Sequence, residues 1–124
     1  MNIFFLIASI LTFLIGLAHS LLGEKYFLHY LFERQHLEEV GNEIYVNRTT
    51  RIAWHLTSIA WWGAASVLMV LALHPMSSPL VTVTAHVIAF VFLLSALLSV
   101  IGSRGRHLLW IAFLIIAITT WLGI

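Results

Sequence analysis

Residues 2–22 form an apolar run without a single charged side chain, and no other feature restricts the fold as strongly. About 20 such residues in α-helical form cross a hydrocarbon layer roughly 30 Å thick. A helix also satisfies its own backbone polar groups, which lipid cannot do. The run lacks a basic leading region and a small-x-small cleavage pattern, so it reads as a first span rather than a signal peptide. Comparable runs follow at 52–73, 80–101 and 107–124. Together they predict an all-α, polytopic membrane protein, a four-transmembrane-helix bundle in a single domain over residues 1–124. The last run is the shortest, about 27 Å as a helix, just enough to cross. A soluble fold is excluded by 61% hydrophobic against 9% charged residues and a mean hydropathy of +1.02. Barrel strands are excluded because the runs lack two-residue alternation and are twice the length a strand needs.

Gly23, Glu24 and Lys25 are expected to end the first span, and the Pro75 and Pro79 region to separate the second from the third. Gly102 to Arg106 reads as a short polar turn. Between the first two spans, residues 25–39 mix Tyr26, Phe27, Tyr30, Leu31 and Leu37 with Glu33, Arg34, Gln35, Glu38 and Glu39. That mixture predicts an amphipathic cytoplasmic helix or an extension of span one, ended by Gly41 and Asn42. All six Lys and Arg fall in the two loops on one side: Lys25, Arg34, Arg48 and Arg51 in the first, Arg104 and Arg106 in the second. The positive-inside rule makes both loops cytoplasmic and turns both termini outward, with a bacterial inner membrane as the expected location. Trp54, Trp110 and Tyr26 fall near the inner boundary and Trp121 near the outer one, as interfacial anchors do. A net charge of +1 gives no support to a nucleic-acid partner. The absence of cysteine removes disulfides, thiolate metal sites and thiol nucleophiles.

Seven histidines are the unusual chemical feature. His19, His55 and His107 project to nearly one depth near the cytoplasmic boundary, whereas His86 lies in the outer half. Thr12, Gly16, His19 and Gly23 share a stripe on span one, and Arg51, His55, Ser58, Trp62 and Ser66 share one on span two. Imidazole suits haem iron and borderline divalent metals. Accordingly, haem b clamped by His19 and His55, with Arg48 or Arg51 on its propionates and quinone as a redox partner, is the leading expectation. A zinc, copper or iron site from His19, His55, His107 and Glu24 is the second, although His19 and Glu24 lie about 140° apart on an ideal helix. Interhelical hydrogen bonds account for the same histidines without any cofactor.

Span three carries Thr82, His86 and Phe90 on one face and Ser95, Ser99 and Gly102 on the other. One of the two faces is expected to pack in the bundle and the other to contact a second subunit, in a homo-oligomer or a larger membrane complex. His86 defines a separate polar or transport site, the basis of a proton-coupled homo-oligomeric transporter. A non-catalytic lipid-binding or assembly subunit, surrounded by membrane lipids, is the remaining reading. Serine hydrolysis has no support at Ser58 or Ser66, which have no acidic residue near them in the spans.

Overall fold

The computed structural model describes residues 1–34, 43–74 and 78–124. The described residues form an all-α structure. Helix α1 covers Ile3–Leu22, a π-helical segment Gly23–Leu28 continues it, and α2 covers His29–Arg34. Helices α3 (Glu43–Leu73), α4 (Pro79–Ser103) and α5 (Leu109–Leu122) follow. Three helical stretches, Ile3–Leu31, Tyr45–Leu73 and Pro79–Ser103, are long and apolar enough to cross a membrane, and α5 is a shorter apolar helix of 14 residues.

Local chemistry fixes the ends. The Asn2 side chain accepts the Phe4 and Phe5 backbone N–H groups at 3.1 and 3.2 Å, so the first turn of α1 is capped. Ser78 does the same for Val81 at 3.3 Å, and Pro79 occupies the first turn of α4, where its missing N–H costs nothing. Arg104, with φ 51°, and Gly105, with φ 76°, take left-handed conformations that turn the chain after α4. The helix does not stop where the uncharged run ends, at Gly23 to Lys25. The chain instead widens into a π-helical turn, in which the His29 N–H reaches back to the Glu24 carbonyl. The expected ending at Gly41 and Asn42, and most of the polar half of the amphipathic segment, fall outside the described residues, as does Pro75.

Helix α1 packs against α3 and α5, and α4 packs against α5. The α1–α3 pairing is antiparallel and its register is continuous. Asn2 N–H donates to the Ala72 carbonyl at 2.9 Å, Ser9 Oγ to the Ala65 carbonyl at 2.7 Å, Trp62 Nε1 to the Phe13 carbonyl at 3.2 Å and Trp54 Nε1 to the His19 carbonyl at 3.0 Å. In lipid the apolar effect between helices is lost, so such bonds and close packing carry the association. Phe5, Ala8, Leu68, Ala72 and Ala85 form one apolar cluster toward the chain ends, and Phe92, Ala96, Phe113, Ile116 and Ala117 form another deeper in the bundle. The buried face of α4 is thus Ala85, Ala89, Phe92 and Ala96 rather than either polar stripe expected of it. In the 18-residue apolar window of each long stretch only 22–28% of the residues are buried within the chain. The remaining surface carries residues such as Leu98 and Ile101, which are more than 70% exposed, and it belongs against lipid.

Candidate functional site

Where α1 passes into the π-helical segment, its polar residues meet those at the start of the apolar part of α3. Arg51 Nη2 lies 3.0 Å from Glu24 Oε1, and His55 Nε2 lies 3.2 Å from Glu24 Oε2. The other ring nitrogen, Nδ1, is 2.7 Å from Ser20 Oγ. A carboxylate only accepts hydrogen bonds, so in a neutral His55 ring the proton sits on Nε2 and Nδ1 is left to accept the Ser20 hydroxyl. Ser20 and Glu24 are four residues apart on one helix, and Arg51 and His55 four apart on the other, so two i, i+4 pairs face each other across the interface.

On another side of α1, the His19 ring lies flat on Trp54, with centroids 4.2 Å apart and planes 5° from parallel. Phe27 stacks on the same indole at 4.8 Å, and Trp61 meets His19 edge-on at 4.8 Å. The indole fits only because residue 23 is glycine: any Cβ there would overlap Trp54. Beside this stack is a partly open cavity of about 550 Å³, walled by Ile15, Ala18 and Leu22 and by Tyr26, Phe27, Trp54 and Leu109, with His19 and His107 as its imidazoles. His107 Nδ1 accepts the Leu109 backbone N–H at 3.3 Å, so a neutral ring carries its proton on Nε2.

The expectation of a haem or metal cofactor is overturned by this arrangement. Among the described residues no three His, Cys, Asp or Glu side chains are grouped so as to hold a metal ion. Both ring nitrogens of His55 are engaged, by Ser20 and Glu24. The ring of His19 is stacked flat on Trp54. Glu24 turns to Arg51 and His55, in keeping with its angular separation from His19 on the helix. The zinc, copper and iron alternatives built on His19, His55, His107 and Glu24 fail with it. Arg48 is an exposed residue of α3, and Arg51 is the ion-pair partner of Glu24. His86 stands apart: its Nδ1–H donates to the Thr82 carbonyl at 2.8 Å and its ring meets Trp121 edge-on at 5.2 Å.

Ser20 is the residue that the sequence reading passed over. Its signal was the spacing to Glu24, one helical turn away, read against the equal spacing of Arg51 and His55. The chain is therefore a membrane-embedded helical protein with a polar cluster and an adjoining apolar cavity at one end of the bundle. No protein-family model, curated protein or solved structure matches it.

Proposed function

We propose that the protein takes an amphipathic molecule from the bilayer into the cavity beside His19 and His107. The observation that carries this reading is the cavity itself. Its volume of about 550 Å³ lies within the range of roughly 300–1,000 Å³ typical of small-molecule sites. Its wall is apolar and aromatic apart from two imidazoles, and it contains no carboxylate. A head that accepts hydrogen bonds satisfies the imidazole N–H donors, while a hydrocarbon tail leaves along Ile15, Ala18 and Leu22 toward lipid. A quinone carbonyl and a lipid ester or phosphate share this chemistry. In the same reading all four apolar helices cross the membrane, the loops rich in Arg and Lys are cytoplasmic, and His86 braces α4 against Trp121.

Photolabelling of the protein in vesicles distinguishes the two sources. An azidoquinone and a diazirine phospholipid are each cross-linked, and the labelled peptides are mapped. Attachment within residues 15–27 or 107–109 is expected for one of them, falling at least about tenfold in Ala18→Trp, which fills the cavity. Quinone attachment assigns the quinone, and phospholipid attachment assigns the lipid. Absence of both labels from these segments, or labelling unchanged by Ala18→Trp, overturns the reading.

A further inference from the structure

We infer that Ser20, activated by His55 and Glu24, is a nucleophile that attacks carboxylic esters of amphiphiles at the membrane interface. Hydroxyl groups within helices commonly bond to the carbonyl four residues back. Thr12, Thr57, Ser66, Ser95 and Ser103 all do so here, at 2.6–3.2 Å. Ser20 departs from them, its Oγ lying 2.7 Å from His55 Nδ1 on the neighbouring helix. Glu24, held by Arg51 at 3.0 Å, accepts Nε2–H on the far side of the ring at 3.2 Å. That carboxylate fixes the tautomer in which Nδ1 is the base, and it stabilises the imidazolium formed when the base takes a proton. The roles of the two ring nitrogens are interchangeable chemically, since a base–nucleophile contact and a base–carboxylate contact are what the reaction requires. The side chains of His55 and Glu24 are 36% and 40% exposed, so the cluster is open to reagents from the interface. None of these three residues lines the cavity beside His19, and the inference is independent of what that cavity binds.

The reaction needs only the ester and water. Ser20 Oγ bonds to the carbonyl carbon as its proton passes to His55 Nδ1. The ester C–O bond then breaks, and the departing alcohol takes that proton. Water adds to the acyl-serine with Nδ1 accepting its proton, the bond from the acyl carbon to Ser20 Oγ breaks, and the proton returns to Oγ. A carboxylic acid is released and serine is regenerated.

The test uses the intact protein in vesicles with a fluorophosphonate probe, which phosphonylates activated serines. The expected result is a covalent adduct mapped to Ser20, absent in Ser20→Ala and formed at least about 100-fold more slowly in Glu24→Gln, where the carboxylate that sets the tautomer is gone. An unlabelled native protein, an adduct at another residue, or an unchanged rate in Glu24→Gln overturns the inference. Ser20→Cys gives a second measurement that survives poor folding of the other variants, because the chain has no cysteine of its own. Its thiol is expected to react with iodoacetamide at neutral pH at least about tenfold faster than that of Arg106→Cys on the exposed turn. Equal rates overturn the inference.

Discussion

Gly23 decides how closely α1 and α3 approach at the polar end. The Trp54 indole occupies the space a side chain would need, and Gly16 is similarly covered, with an added Cβ only 2.7 Å from Trp62 Nε1. Gly23→Ala therefore forces a rigid aromatic ring aside and is expected to destabilise the protein by about 1–3 kcal/mol. Gly63→Ala is the control: nothing lies within 4 Å of its added Cβ, so it gains helix propensity, about 0.4–1 kcal/mol. Thermal unfolding in detergent should move in opposite directions for the two variants; a shared direction would remove the packing account. The small-residue stripe of Thr12, Gly16 and Gly23 was legible from spacing alone, and all three are buried. What fills the space beside each glycine was not, because that depends on interhelical register. The same gap hid Ser20. A histidine and a serine on different spans have no sequence relation until the depth and rotation of both helices are known.

At the scale of the helices, the α1–α3 register can be checked chemically, since the chain contains no native thiol. Ser9 Oγ reaches the Ala65 carbonyl at 2.7 Å, so Ser9→Cys combined with Ala65→Cys places two thiols on facing backbones. Mild oxidation is expected to cross-link this pair, while Ile7→Cys with Ala65→Cys, which adds a thiol on an exposed face of α1, should remain reduced. The opposite pattern would require a different rotation of α1. The apolar runs at 2–22, 52–73 and 80–101 correspond to α1, the apolar part of α3 and α4, because long uncharged stretches carry a strong signal. Past the first boundary the amphipathic mixture suggested more helix; before the second apolar run nothing did. Helix α3 is described from Glu43, ahead of the apolar run, and α1 continues through Glu24 and Lys25 as a π-helical turn. Hydropathy measures burial in lipid and is blind to a helix that protrudes from it.

For the whole molecule, the hydrogen bonds of Asn2 to Ala72 and Gly123, at 2.9 and 2.7 Å, bring both chain ends to one end of the bundle. His107 and Leu109, beside the turn carrying Arg104 and Arg106, share a cavity with His19, Gly23 and Trp54 at the other end. The orientation follows from the charge asymmetry as a prediction. A reporter fused after Ile124 should be active outside the cytoplasm, and one inserted at Asn42 should be active within it; the reverse pair of activities would invert the topology. The shortness of α5 was only half visible. The run at 107–124 is apolar throughout, but His107 and Leu108 are spent on the turn and the helix is confined to Leu109–Leu122. Fourteen residues rise about 21 Å, well short of a hydrocarbon core roughly 30 Å thick. Beside its longer neighbours α5 is the short helix, and a bilayer around it is expected to relieve the mismatch by thinning locally. If α5 crosses the bilayer, the headgroup layer is expected to dip beside it, and in the proposed reading an amphiphile entering near Leu109 and His107 then has a shorter path to the cavity.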